Sequence, residues 1–167
     1  MTEALAPDLR RLLARFAALG QPRRYDDSGF RLASTLEPPA TAHEIAATVP
    51  EHAPDELREL WSLTRGARLF EDVDYGQWGM VILSPAASAR RTAHERIARP
   101  DELRPHDVVI AEFLGDSDLL IASVDGSGGW QLRVAEPLLP REDWPVLQGS
   151  LAGVLWRFLA SGGEKYW

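Results

Sequence analysis

The chain contains no cysteine. That absence excludes disulfide staples, thiolate zinc sites, iron–sulfur clusters and a cysteine nucleophile together, and it suits a reducing compartment. Long apolar runs are missing as well. The longest stretch without a charged residue, Gly76 to Ala89, is 14 residues and contains Pro85, whereas a bilayer span needs about 18 or more apolar residues. The first residues do not read as a signal peptide, because Glu3 and Asp8 precede any positive charge and Arg10, Arg11 and Arg15 interrupt the apolar positions. A cytoplasmic address is expected, with no membrane partner, although some secretion routes need no cleavable signal. No repeat with a period of about 20–50 residues is visible.

What is present is ordinary for a globular protein: 167 residues, 45% apolar and 26% charged, with 13 Gly and 12 Pro. At roughly 150 residues per domain this is one domain. Charge is unevenly spread. Residues 1–34 carry six Arg against four acids, net +2, and residues 35–167 carry twelve basic against twenty-one acidic residues, net −9. An acidic body repels nucleic-acid phosphates, so DNA or RNA is not an expected partner unless Arg10, Arg11, Arg15, Arg23 and Arg24 form an isolated patch. Their plainer reading is a solvated helix face.

Periodicity predicts a helix from Pro7 to Leu19, with Leu9, Leu12, Leu13, Phe16 and Leu19 on one face and Gly20 as its stop. Between Tyr25 and Leu36, Phe30, Leu32 and Leu36 suit one face of a short strand. Thr41 and Glu44 form a capping box for a short helix that Pro50 ends. Pro54 opens a second helix, with Leu57, Leu60, Trp61 and Thr64 on one face. The period then changes: Leu69 and Phe70, an acidic turn from Glu71 to Gly76, and the run Trp78 to Leu83 read as a hairpin. Ser84 and Pro85 start a helix to about Arg99 whose expected inner stripe is Ala86, Ala89, Ala93 and Ile97.

Strands follow over Val108–Phe113, Leu119–Val124 and Trp130–Val134, joined by turns too short for anything but antiparallel pairing. After a proline-rich link, Glu136 to Pro145, Ser150 caps a final helix bearing Leu151, Val154, Leu155, Phe158 and Leu159. The expected fold class is α+β. It is an antiparallel sheet of about five to six strands, with N-terminal helices and a C-terminal helix packed on one face.

Catalytic and cofactor patterns do not complete. His43-Glu44 and His94-Glu95 begin like the helical zinc-protease motif, but the residues four positions after each histidine are Ala47 and Ala98. Gly126, Gly128 and Gly129 belong to no phosphate loop or nucleophile elbow and are better read as a hairpin turn. No catalytic residue, metal or cofactor is expected. The carboxylates that remain are Glu71, Asp72 and Asp74 in one loop and Asp116 and Asp118 in another. They are either wet loops or, beside Tyr75 and Trp78, a docking patch for a positive partner, since aromatic residues are enriched at interface hot spots. Tyr166 and Trp167, at the chain end, are further candidates for a contacted surface, while Trp61, Trp130 and Trp156 fall on expected buried faces.

The string Ala53-Pro54-Asp55-Glu56-Leu57-Arg58-Glu59-Leu60-Trp61, followed by Arg65-Gly66-Ala67-Arg68-Leu69-Phe70, resembles the SUKH superfamily, which includes fungal cell-wall assembly regulators and many bacterial toxin-immunity proteins. Arg65 stands where Asn is common. The Gly79 strand, the Phe113-Leu114-Gly115-Asp116 turn and the end Gly162-Gly163-Glu164-Lys165-Tyr166-Trp167 extend the resemblance over roughly residues 40–167, leaving 1–39 as an N-terminal extension. These motifs are structural and support fold more strongly than function.

The resemblance implies a non-enzymatic binding protein, often an immunity factor that neutralises a nuclease or another nucleic-acid-modifying toxin domain. The expected partner is therefore a cognate toxin domain of basic character. Its expected docking residues are Glu71, Asp72, Asp74, Tyr75, Trp78, Asp116 and Asp118. The alternative is a scaffold or regulatory module for cell-envelope or signalling partners. A carboxylate hydrolase is a third reading, and it requires two acids facing each other in a cleft, one with a raised pKa.

Overall fold

The computed structural model describes residues 8–25 and 29–167. Pro7, expected to open the first helix, and residues 26–28, within the expected Tyr25–Leu36 segment, lie outside the described residues. The elements run α1 (Leu9–Ala17), β1 (Arg23–Arg24), β2 (Arg31–Leu36), α2 (Ala42–Thr48), α3 (Asp55–Leu63), β3 (Ala67–Asp72), β4 (Met80–Ile82), α4 (Pro85–Ala98), β5 (Val108–Phe113), β6 (Leu119–Val124), β7 (Trp130–Ala135), β8 (Val146–Leu147) and α5 (Leu151–Ala160). The strands form one sheet in chain order, each antiparallel to its neighbour.

The sheet has eight strands, not five to six. The two that sequence reading missed are the edge strands β1 and β8, two residues each. A two-residue strand shows no alternation, and short edges protect a sheet from pairing with another chain. Arg23 and Arg24 thus lie on a strand, while Arg10, Arg11 and Arg15 lie on α1.

One face of the sheet is covered by α1, α3 and α5. Ser150, the expected cap, accepts the Gly153 amide at the head of α5, and Asp8 accepts the Arg11 amide at the head of α1. Each turns a leucine-rich stripe inward, so Leu12, Leu57, Leu60, Val154, Leu155 and Phe158 meet Leu69, Ile110 and Leu120 of the sheet. The segment before residue 40 therefore contributes a helix and a strand, β2, to the same core and the exposed edge strand β1 to the sheet. The β2–β3 pairing slips between Ala33 and Thr35, and there Phe70 turns to φ 49° while its amide bonds the Ser34 hydroxyl at 2.9 Å. Its buried ring meets Phe16, Tyr25 and Phe158 edge-on at 5.9, 5.3 and 5.6 Å.

The opposite face is covered as well, so the expectation of a sheet packed on one face is corrected. Helix α4 lies there, together with residues 99–107 and 136–145, over a smaller core of Leu83, Leu103, Val109, Leu119, Ile121, Ala135 and Trp144. The buried stripe of α4 is Pro85, Ser88, Thr92 and Glu95 rather than the alanines, and Ile97 is 84% exposed. The reason is polar. β5 slips its register between Val109 and Ala111, and Val109 bonds α4 instead: its carbonyl accepts from the Ser88 hydroxyl at 2.5 Å and its amide donates to Thr92 Oγ1 at 2.9 Å. No described helix is long and apolar enough to cross a membrane.

Candidate functional site

The β3–β4 loop is built around a carboxylate. Asp72, at the end of β3, is 1% exposed and accepts the amides of Asp74, Tyr75 and Gln77 at 3.0, 3.2 and 3.1 Å. Folding the loop around Asp72 leaves Tyr75 outside, 73% exposed, with Val73 at 41%. Asp74 takes a two-pronged bond from Arg31 on β2, Nε to Oδ2 at 3.0 Å and Nη2 to Oδ1 at 2.5 Å. That hydrogen bonding holds the Asp74 carboxyl below its ordinary range. Glu71 pairs with Arg68 at 2.7 Å on the exposed side of β3.

The β5–β6 turn packs against this loop. Gly115, at φ +100°, lies so close to the Gln77 carbonyl that a Cβ there would sit 2.3 Å from its oxygen, and the Leu114 amide bonds the Gly79 carbonyl at 2.8 Å. Both turn acids face Lys165, the only lysine of the chain: its ammonium bonds Asp118 at 2.8 Å and also Asp116. Burial draws the Lys165 pKa down, but the hydrogen bonds and charges of Asp116 and Asp118 together outweigh it and raise the value. The ammonium also lies 5.2 Å over the Phe113 ring, which packs on Trp167.

Trp78 closes the surface, donating Nε1–H to the Gly163 carbonyl at 3.0 Å. Gly163 in turn presses on Phe70, whose Cβ would lie 2.6 Å from any added Cβ, so the loop pole is locked to the central aromatic cluster. The structure thus brings all seven expected docking residues to one end of the sheet, in three different conditions. Tyr75 is open, Glu71, Asp74, Asp116 and Asp118 are paired within the chain, and Asp72 and Trp78 hold the loop together. Five carboxylates face four cations, Arg24, Arg31, Arg68 and Lys165, which leaves these groups about one charge negative. The space between Trp78, Phe113 and Lys165 is about 10 Å³, room for about one water.

Two features escaped sequence reading. His52, before α3, meets His106 at 4.4 Å between ring centroids and lies parallel to Trp130 at 6.2 Å; burial, then His106, Arg96 and Arg58, hold its pKa below the ordinary value. Beside it a cavity of about 80 Å³ is lined by Leu57, Ile110, Leu132, Trp130 and Glu56. The Glu56 carboxylate is committed to the Leu151 and Ala152 amides at the head of α5, at 2.8 and 2.9 Å. The second feature is a shallow groove of about 420 Å³ between α4 and the β2–β4 strands, edged by Arg65, Arg68 and Glu37. Neither carries a sequence signal, because each is assembled from segments far apart in the chain.

Among the described residues no three His, Asp or Glu side chains gather as a metal site. Among the described residues hydrogen bonding holds the carboxyl groups of Glu44, Asp74 and Asp125 below their ordinary range. No family model matches this chain, and neither a curated protein nor a solved structure matches it.

Proposed function

We propose that this chain is a non-enzymatic binding protein of the immunity type, which neutralises a basic toxin domain, a nuclease or another nucleic-acid-modifying enzyme, in the cytoplasm. One observation carries the reading: two acidic loops distant in sequence and the C-terminal tail form a single rigid, net-negative surface with an exposed tyrosine at its tip. Such a surface can occupy a cleft evolved for phosphates, and complementary charge speeds the encounter. Because most of the acids are already paired within the chain, the gain in association rate is at the lower end of the general range, roughly tenfold. The SUKH resemblance of residues 40–167 supports the same class of activity.

The test is capture from the native cell's lysate at low and high salt, followed by assay of what is captured. The reading expects one stoichiometric basic protein, released by salt, whose nucleic-acid-directed activity the purified chain inhibits. Recovery of several envelope or signalling proteins instead would favour the scaffold alternative, and recovery of an active enzyme that the chain leaves uninhibited would remove the immunity reading.

A further inference from the structure

The face under α4 holds polar atoms that the other described residues do not satisfy. Ser123 Oγ, Arg133 Nε and Arg141 Nε are buried and have no hydrogen-bond partner among the described residues. Strand register places the first two together: on β6 and β7, Ile121 pairs with Arg133 and Ser123 with Gln131, and Ile121 belongs to the core of this face. One step beyond the Val108–Ala122 pair sets Asp107 across from Ser123. Asp107 is fully engaged: Arg141 grips both its oxygens at 2.5 and 3.1 Å, and the Arg104 amide bonds Oδ2 at 2.8 Å.

Among the described residues no carboxylate forms an ion pair with Arg133. The charges acting on it are Arg141 and Arg104, both repulsive, and Asp107; burial, then the two arginines, hold its pKa below the usual guanidinium value. The charges that act on Arg133 are thus two guanidinium groups against one carboxylate, within a chain of net charge −7. A half-buried guanidinium among like charges costs stability unless an anion offsets it. The free groups here are two N–H donors and a hydroxyl. An oxyanion can accept from all three.

We propose that Ser123, Arg133 and Arg141, of which Arg133 is the least buried, form a binding site for a small tetrahedral oxyanion of the phosphate or sulfate kind. The excess of positive charge around Arg133 favours an anion, and Ser123 is fully buried. This site is separate from the loop pole and does not depend on the immunity reading.

The probes are inorganic phosphate and the monoester phenyl phosphate, titrated at constant ionic strength into the full chain while arginine Nε–H signals are followed by nuclear magnetic resonance. The Arg133 and Arg141 signals are expected to shift and saturate, and at one hundred times Kd the melting temperature is expected to rise by roughly 5–10 °C. Arg133→Gln should abolish the saturable shift while keeping the unliganded circular dichroism spectrum. Ser123→Ala should weaken binding roughly tenfold. Saturation by phosphate alone identifies a free ion, and saturation by the ester as well identifies a phosphoryl group carried on a larger molecule. Shifts that stay linear, or that are equal in wild type and Arg133→Gln, would reduce the effect to bulk salt and overturn the proposal.

Discussion

On the face covered by α1, α3 and α5 the buried side chains are almost all aliphatic or aromatic, whereas under α4 two Ser, a Thr, a Glu, an Asp and an Arg are buried beside the smaller core. The first face gains its stability from area removed from water, which is non-directional. The second is stitched by directed bonds: Ser88 and Thr92 to Val109, Arg141 to Asp107, Arg96 to the carbonyls of Pro105 and Asp107, and Arg99 to those of Glu136 and Leu139. Two guanidinium groups, Arg99 and Arg141, also lie 5.0 and 5.4 Å from the Trp144 ring. Apolar burial decides that the chain collapses, and the polar face fixes where α4 and the long connections sit. The loop pole belongs to the second kind, since Asp72 organises it by accepting three amides.

Breaking each face with one substitution should separate the two kinds of support. Asp107→Ala leaves Arg141, whose side chain is 8% exposed, buried without its partner, and should cost about 3–5 kcal/mol in urea unfolding. Replacing both residues, Asp107→Leu with Arg141→Met, should recover most of that loss. Phe158→Ala on the apolar face should cost a similar amount, about 3–5 kcal/mol, with no partner substitution that restores it. Equal losses in the single and double variants of the polar pair would show that its packing, not its charge, matters.

Smaller effects follow at the loop and at α4. Asp72→Ala should cost about 2–3 kcal/mol, and hydrogen exchange should accelerate at residues 74–77 while the core amides stay protected. Thr92→Val, similar in shape but without the acceptor for the Val109 amide, should cost about 1–2 kcal/mol, read by the same unfolding titration.

The smallest effects are pH-dependent. Lys165 has a folded pKa above its unfolded value of about 10.4, so its stabilisation is complete below that pH and is lost as pH rises through the folded value. Lys165→Met should therefore flatten the alkaline limb of the stability curve. His52 has a folded pKa below about 6.5, so its contribution is present above that pH and is lost as pH falls through the folded value. His52→Gln should flatten the change in unfolding midpoint between about pH 7 and pH 5.

The same division explains what the sequence made legible. Leu9 to Phe16, Leu57 to Trp61 and Leu151 to Leu159 carry helical spacing, and Trp130, Leu132 and Val134 carry strand alternation, so the apolar face could be read directly. The inner stripe of α4 was misread because Ala86, Ala89 and Ala93 look apolar, while the residues turned inward are chosen for bonds to an irregular strand. The acidic residues of the pole were visible as a cluster, but their roles were not. That Asp72 would anchor the loop and Lys165 would join Asp116 to Asp118 depends on partners up to 49 positions away.

Hydrogen–deuterium exchange on the chain with its captured partner tests the assignment of the docking surface most directly. The account predicts protection on binding at residues 71–78 and 113–118, reduced together with affinity by Tyr75→Ala and by the pair Glu71→Gln, Asp116→Asn. Protection confined to the groove beside Arg65 and Arg68, with those variants binding as the wild type does, would contradict it.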